Sequence, residues 1–463
     1  MKKIKIDKKY KNILKKFNAM KFFSIVRERT RRFKKGSKKP LPMEYPVNAL
    51  ARRLHPSKQY VKIAKIEEHI LGCKTFTFVA DKDRGTEELA YFSAGQYITI
   101  FLNIEGLKVT RAYSLCSAPC SSISNRSGKI GFYQITVKAV NGGLVSTYIL
   151  ENWKEGTEVT ISAPEGNFDY NYLRDAPTVV GIAGGSGITP FLCMAKSIAA
   201  GDEDFNLILL YGNRDKKSIL FKEDFDRLSR ESAKIKVVYV LSDEKDSDSA
   251  GEKYEYGFIT ADLVRKYTAG LTTANCQENA ALHSTADSTI ENQQPVQQSA
   301  NCPPSQNPYS IFLCGPQSMY NFMDKELEKL GLEKKYIRHE MFGEIHSAKT
   351  QEGYPGLENC PSAASANSAN EITIDVEICG KHYTVKGNPD DTILQILEKG
   401  GIAVPNRCRS GECGWCHSYL KSGKVFVPQK LDYRRKADYK YGFIHPCCTF
   451  ALSDLELDIP PAK

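Results

Sequence analysis

The chain has 463 residues, of which 41% are hydrophobic and 25% charged. This is the balance of an ordinary globular protein, with length for about three domains. The net charge of +10 is unevenly spread: residues 1–60 hold 20 Lys+Arg against 3 Asp+Glu, leaving 44 against 51 for residues 61–463. An acidic body excludes a nucleic-acid-binding core and places the basic character in the tail. No run approaches the roughly 18 apolar residues of a spanning helix. Arg31-Arg32-Phe33 is followed by Lys-Lys-Gly-Ser and not by an apolar stretch, so export is not expected. Fourteen cysteines without a secretory signal read as cytoplasmic thiols rather than disulfides.

Residues 1–57 form a basic N-terminal extension. Within it Ile13, Leu14, Phe17 and Met20 recur at helical spacing among lysines. Such a face suits an anionic membrane surface or an acidic partner, and equally a solvated tail.

From residue 58 to 172 the pattern changes to short strands with turns between them: Val61–Ile66, Thr75–Ala80, Tyr97–Phe101, Tyr133–Val137 and Val159–Ser162. This predicts a small antiparallel β-barrel. Within it stands Arg111-Ala112-Tyr113-Ser114, preceded by Gly95-Gln96-Tyr97, and downstream Lys138 is followed by Gly142-Gly143-Leu144-Val145-Ser146-Thr147. An arginine fork can hold a phosphate, a tyrosine face can carry an aromatic ring system, and a glycine turn at a helix start can receive a pyrophosphate. These motifs, closed by Gly166-Asn167-Phe168, resemble the flavin-binding signature of the ferredoxin–NADP reductase family. The resemblance implies bound flavin, with two phosphate-type motifs favouring FAD over FMN, and roles for Gln96, Tyr97, Arg111, Ala112, Tyr113, Ser114, Lys138, Gly143, Val145 and Ser146.

Residues 173–345 alternate apolar strands (Val179–Ala183, Leu207–Tyr211, Ile235–Leu241, Ile311–Cys314) with helical stretches at 221–230, 259–267 and 317–330. This predicts an α/β doubly wound parallel sheet. Gly184-Gly185-Ser186-Gly187-Ile188-Thr189-Pro190 follows the first strand. The glycines let a pyrophosphate approach a helix N-terminus, with Thr189 expected as N-cap and Pro190 at the first helical position. Arg214, after the second strand, could pair with a 2′-phosphate, so NADH and NADPH both stay open. The last strand ends in Cys314-Gly315-Pro316. In the reductase family such a cysteine lies by the nicotinamide, and Glu340 and Phe342 match the region that faces the flavin. The resemblance therefore implies a catalytic group of Ser114, Cys314 and Glu340. Residues 270–309, rich in Asn, Gln, Ser, Ala and Thr, read as a disordered insertion carrying the incidental thiols Cys276 and Cys302.

A polar stretch at 346–370 reads as a linker with a reach on the order of 25 to 30 Å, long enough for the last domain to swing. Residues 371–463 then give two strands, Ile372–Ile378 and Tyr383–Val385, and a helix with Ile393, Leu394 and Leu397. Cys408, Cys413 and Cys416 follow at Cys-x4-Cys-x2-Cys spacing, and Cys447-Cys448 supplies a fourth thiolate. That set suits a plant-type [2Fe-2S] centre, with Gly411 and Gly414 letting the loop fold tightly and Ser410 offering a hydroxyl. Zinc is the other metal four thiolates could hold, though it favours two short cysteine pairs. This stretch resembles the β-grasp ferredoxin domain, whose pattern selects Cys447 over Cys448 as the last ligand.

The domain order resembles the reductases of phenylacetyl-CoA epoxygenase, phthalate dioxygenase and hybrid-cluster protein. It implies an NAD(P)H-dependent electron-transfer reductase that passes electrons through FAD and the cluster to an acceptor redox protein, either oxygenase-like or hybrid-cluster-like. A redox-sensing or assembly subunit is the alternative.

Overall fold

The computed structural model describes residues 19–36, 45–119, 123–124, 129–140, 142–244, 254–271, 307–341, 345, 347–356 and 371–460. It divides into an N-terminal unit, Met1–Arg53, and a second unit, Leu54–Lys463. In the first, α1 (Ala19–Lys35) carries Arg32, Lys34 and Lys35 in its last turn, and Phe23 and Ile25 are exposed. It is followed by α2 (Pro46–Leu54). Ile13, Leu14 and Phe17 lie outside the described residues. No described helix is long and apolar enough to cross a membrane.

The second unit opens with the barrel. Strands β1 (Gln59–Glu68), β2 (Lys74–Ala80), β3 (Tyr97–Ile104), β4 (Leu107–Ser114), β7 (Tyr133–Val137) and β8 (Glu158–Ile161) pair antiparallel in the order β4-β3-β8-β1-β2-β7; β5 (Ile123–Ser124) and β6 (Lys129–Ile130) form a separate short hairpin. A bridge from Leu115 to Ile135 joins the two edges. Alternate residues point inward, so Phe76, Phe78, Ile98, Ile100 and Ile135 are buried, and Trp153 meets Phe76 and Phe78 edge-on at 5.3 and 5.9 Å. Strand β4 was not among the expected strands. It pairs with β3 across a Glu105-Gly106 turn with both φ values positive (51° and 89°), the hairpin turn that matches strand twist. This ladder sets Tyr97 opposite Ser114, bringing the two halves of the flavin-type motif together. Helix α3 (Leu144–Asn152) follows the glycine turn.

The nucleotide domain is a six-stranded parallel sheet of β9 (Thr178–Gly184), β10 (Asn206–Asn213), β11 (Ile235–Leu241), β12 (Glu255–Tyr256), β13 (Ser310–Cys314) and β14 (Ile337–Glu340), ordered β12-β11-β10-β9-β13-β14. Helices α4 (Thr189–Ala200), α5 (Lys222–Glu231), α6 (Ala261–Thr268) and α7 (Gln317–Glu328) connect them. Strand order reverses between β9 and β13, which creates a crevice at their carboxyl ends. Every residue of β9 is buried, as expected for the centre of a sheet covered on both faces. One expectation fails here. Thr189 is already helical (φ −60°, ψ −44°), because Gly185–Ile188 winds as a 3-10 turn into α4, and its hydroxyl donates to the Ser186 carbonyl instead of capping. The insertion expected between α6 and β13 falls almost wholly outside the described residues, Cys276 and Cys302 with it.

Arg338 on β14 fastens the barrel to this sheet. Its guanidinium donates to the carbonyls of Asn167 and Asp169 and pairs with the buried Asp175. Arg338→Met should destabilise the protein by about 3 kcal/mol, since the buried Asp175 is left with only the looser Arg174 (3.7 Å) as counter-charge. A denaturant midpoint unmoved from that of the unaltered chain would contradict this.

The last domain is a β-grasp. Strands β15 (Ile372–Ile378), β16 (Lys381–Gly387), β17 (Ser418–Ser422), β19 (Phe443–Ile444) and β21 (Leu455–Ile459) are ordered β16-β15-β21-β17-β19; β18 (Val425–Phe426) and β20 (Phe450–Ala451) pair separately. Helix α8 (Ile393–Lys399) starts in a capping box, where the Gln395 amide donates to Thr392 Oγ1 and the Thr392 amide to Gln395 Oε1. Helix α9 (Lys436–Tyr441) ends at Gly442 in the left-handed conformation. The start of the expected free linker is anchored: Ser347 Oγ and the amides of Ala348 and Lys349 bond to Asp390, and Tyr354 packs on Phe426. Residues 357–370 are outside the described set. In this arrangement the last domain is held to the barrel by Arg407–Glu165 and Asn406–Thr110 and to the nucleotide domain by Lys430–Asp324.

Candidate functional site

At the barrel end of the site, β4 presents Arg111, Ala112, Tyr113 and Ser114 beside Tyr97 of β3. Arg111 donates to the Thr110 carbonyl (2.7 Å), and burial pushes the Tyr113 hydroxyl up to about 12. Gly166 lies so close that a Cβ there would stand 2.9 Å from the Tyr97 ring. Gln96 is spent on the scaffold, donating to the Gly166 carbonyl and accepting from the Ser93 amide. In the glycine turn, Ser146 Oγ accepts from the Val140 amide (3.2 Å) and Val145 is a core residue. The hydroxyl thus also supports its own turn, while its hydrogen can turn to a phosphate. The turn also offers an anion the amide ends of α3, with Lys138 nearby at the mouth of the nucleotide cavity.

The expected catalytic trio converges. Ser114 Oγ donates to Glu340 Oε2 (3.3 Å), both side chains buried, and Cys314 is the partner of Glu340 in the β13–β14 register. Tyr320 holds this corner by donating to the Glu340 carbonyl and accepting from the Gly315 amide. Burial, with the Glu412 carboxylate nearby, holds Glu340 well above the usual carboxylate range; burial also pushes the Cys314 thiol up. Phe342 lies outside the described residues.

The crevice at the β9–β13 reversal opens into a cavity of about 760 Å³ whose wall includes Gly184, Gly185, Arg214, Pro316 and Met319. Gly185 (φ 55°) has open space where a Cβ would stand, and a Cβ on Gly187 would overlap the Cys314 carbonyl. The glycine loop thus rests on the end of β13 and leaves a cradle in front of it, which fits a pyrophosphate. Thr189 and Pro190 are buried behind this loop. Lys217 and Ser218 join Arg214 on the wall, and Phe258 and Phe322, 5.7 Å apart, form an aromatic rim. None of these four additions was foreseen. Lys217 and Ser218 stood next to a noticed stretch, whereas the two rings meet only through tertiary structure.

In the last domain the loop from Cys408 to Cys416 turns on Arg409, Gly411 and Gly414, all with positive φ. The amides of Ser410 and Cys413 both donate to Cys408 Sγ (3.4 Å), and the Ser410 hydroxyl is buried beside the same sulfur. Cys416 Sγ lies 3.3 Å from Cys447 Sγ. Hydrogen bonding from the neighbouring Cys413 and Cys447 thiols holds Cys408 well below the usual thiol range. The described cysteines are free thiols. Among the described residues no three or more His, Cys, Asp or Glu are gathered as a single ion would require. The thiols instead form two linked pairs, Cys408 with Cys413 and Cys416 with Cys447, a donor set that fits a two-iron core with two thiolates per iron. Cys448 Sγ neighbours Cys447, donates to the His445 carbonyl (3.5 Å) and fills the space under Gly411.

The cluster loop and the flavin-type site touch. Arg407, only 6% exposed, pairs with Glu165 and lies 3.8 Å over the Trp415 ring. Glu165 is itself paired by backbone to Tyr97, and Glu412 acts electrostatically on Glu340. Arg409 forms a buried two-bond pair with Glu398 (2.6 and 2.8 Å). Neither arginine was singled out in the sequence, because their acidic partners are remote in it or unremarkable.

Three domain families match in this order: the oxidoreductase FAD-binding domain over residues 63–170, the oxidoreductase NAD-binding domain over 182–325, and the 2Fe-2S iron-sulfur cluster binding domain over 376–452. The chain is 24% identical over 402 residues to a component of the 1,2-phenylacetyl-CoA epoxidase of Escherichia coli K12, covering 86% of this chain and 96% of that one. It is 25% identical over 403 residues to the ferredoxin reductase component of 3-ketosteroid-9-alpha-monooxygenase from Rhodococcus rhodochrous, covering 86% and 96%. The solved structure of phthalate dioxygenase reductase superposes with a TM-score of 0.52 at 22% identity, covering 87% of this chain and 98% of that one. With the barrel, the nucleotide crevice and the thiolate loop in this order, the chain belongs to the ferredoxin–NADP reductase superfamily, in the group that carries a C-terminal plant-type [2Fe-2S] ferredoxin domain.

Proposed function

We propose that this NAD(P)H-dependent flavin and iron–sulfur oxidoreductase is the reductase component of an oxygenase-type system. FAD supplies conversion of a two-electron hydride into single electrons, and the [2Fe-2S] centre supplies a one-electron exit. The observation that carries the reading is the connection between the Ser114–Glu340 corner and the cluster loop, which runs from Arg407 through Glu165 to Tyr97, the strand partner of Ser114, with Glu412 close enough to act on Glu340 electrostatically. In this reading Gly184, Gly185 and Gly187 seat the pyrophosphate of the nucleotide. Arg214 and Lys217 face its adenosine end, and Cys314 and Gly315 border the nicotinamide. Arg111, Tyr113 and the amides at Gly143 hold the flavin, while Ser114 keeps a hydroxyl between Glu340 and the reacting ring. Cys408, Cys413, Cys416 and Cys447 hold the cluster. The relatives named for epoxidase and monooxygenase systems support an oxygenase component as acceptor, ahead of a hybrid-cluster-type protein. The basic helix α1 is assigned to an anionic surface, on a membrane or on that partner.

The test is anaerobic titration of reconstituted protein with NADH and with NADPH. Flavin and cluster bands should both bleach, followed by steady reduction of an oxygenase component. Bound cofactors with negligible turnover would instead make the chain a redox sensor. Binding of the same preparation to anionic liposomes that survives removal of residues 1–39 would remove the assignment of α1.

A further inference from the structure

We propose that the outward face of α9, with the tyrosines around it, is the surface on which an acidic one-electron carrier protein docks. The inference rests on the reading that electrons leave through the cluster.

Two sides of the cluster loop differ in what covers them. One is taken by the barrel, through Arg407–Glu165 and Asn406–Thr110. The other is covered by His445 and by the strand after α9. His445 is 3% exposed; its Nδ1 is 2.7 Å from the Gly411 carbonyl and its Nε2 is 3.9 Å from Asp438 of α9. A single imidazole therefore separates the helix from the loop, and Cys447 follows two residues after it. His417, next to Cys416, stacks on Phe443 at 4.5 Å, and Phe443 is two residues beyond the end of α9.

The outer surface of this layer has the composition of a protein interface. Tyr419, Tyr433, Tyr439 and Tyr441 are all exposed. Tyrosine and arginine are the residue types enriched at the energetic centres of interfaces. Arg435, Lys436 and Lys440 are exposed, and among the described residues none of their side chains pairs with a carboxylate, although the Arg435 amide donates to Asp438 (2.9 Å). The acidic groups of the segment are used internally: Asp432 pairs with Arg434 at 2.6 Å, and Asp438 faces His445. The result is three cations whose side chains have no acidic partner among the described residues, Lys440 lying 5.2 Å over the Tyr441 ring, on a body whose residues 61–463 carry 44 basic against 51 acidic side chains. A local reversal of sign next to a redox centre steers an oppositely charged partner and sets its orientation on arrival. The fitting occupant is a carrier protein whose own redox centre is ringed by carboxylates.

The test compares the holoenzyme with its Arg435→Glu/Lys436→Glu/Lys440→Glu variant. Two probes are used: cytochrome b5, whose haem edge is acidic, and cytochrome c, whose haem edge is basic. At low ionic strength kcat/KM for cytochrome b5 should fall by about tenfold or more in the variant, and the two proteins should converge in high salt. Reduction of cytochrome c should hold or rise. Titration of oxidised cytochrome b5 into each protein should show binding weakened in parallel. Single-turnover reduction of the cluster by NAD(P)H should be unchanged. Equal loss with both cytochromes, or cytochrome b5 binding and turnover indifferent to the charge reversal, overturns the proposal. If NAD(P)H fails to reduce the cluster even in the unaltered protein, the electron-transfer reading falls, while the binding titration still decides the docking surface.

Discussion

Cys447→Ser is expected to remove the iron–sulfur chromophore and to cut reduction of one-electron protein acceptors by more than about 100-fold, since loss of a mere supporting contact to a metal ligand already costs 10–100-fold. Cys448→Ser is expected to retain both. The two thiols are adjacent in sequence yet do different things. Cys447 Sγ stands 3.3 Å from Cys416 Sγ and neighbours Cys408, inside the group of four sulfurs. Cys448 Sγ is turned to the His445 carbonyl and lies where a Cβ on Gly411 would come within 2.8 Å of it, so it supports the loop from behind. Flavin reduction by NAD(P)H should be preserved in both variants, because Ser114, Cys314 and Glu340 are anchored independently of the late cysteines. Iron content and the visible spectrum after dithionite reduction decide the matter. A cluster lost with Cys448 and kept without Cys447 would reverse the ligand assignment.

The proposed assignment starts from spacing in the sequence: Cys447 sits five residues after Gly442, whose left-handed conformation ends α9. Local patterns are informative elsewhere. The alternation in Tyr133–Val137 and Ile372–Ile378 marks strands with those same ends, because one buried face forces a period of two. The Gly184–Pro190 loop and Cys314 stand together at the carboxyl ends of two neighbouring apolar strands of a parallel sheet, as their place after or at the end of such strands suggests. What spacing could not carry was the pairing of remote residues. Glu165 and Arg407 are 242 positions apart, and Phe258 and Phe322 lie on opposite sides of the polar insertion. Thr189 had the right residue type for a cap. A 3-10 turn made of the preceding glycine loop moved the helix start away from it, a backbone effect invisible to propensity. Ser146 Oγ accepts from the Val140 amide within its own turn, a contact that spacing alone does not show.

Glu165→Ala should separate the two halves of the electron path. Glu165 holds the Arg407 guanidinium from the barrel side while Trp415 stacks on its face, and by backbone it is paired to Tyr97, so one residue joins the flavin-type site to the cluster loop. Removing the carboxylate leaves a cation that is only 6% exposed without its counter-charge, at a cost on the order of 3 kcal/mol that the Trp415 ring offsets in part. The fold has other fastenings, among them Arg338–Asp175 and the buried Arg409–Glu398 pair, so the loss falls on how the cluster loop sits against the barrel. Each 1.4 kcal/mol of lost positioning is about tenfold in rate, and we expect transfer into the cluster to slow by at least about tenfold. Hydride transfer should be unaffected, because the Glu340 corner is held by Ser114 and Tyr320. Stopped-flow traces at the flavin and cluster bands resolve the two events, and Glu165→Gln, which keeps an acceptor for Arg407, should restore part of the rate. Both phases slowed alike, or neither, would show that this ion pair does not set the distance between the two centres.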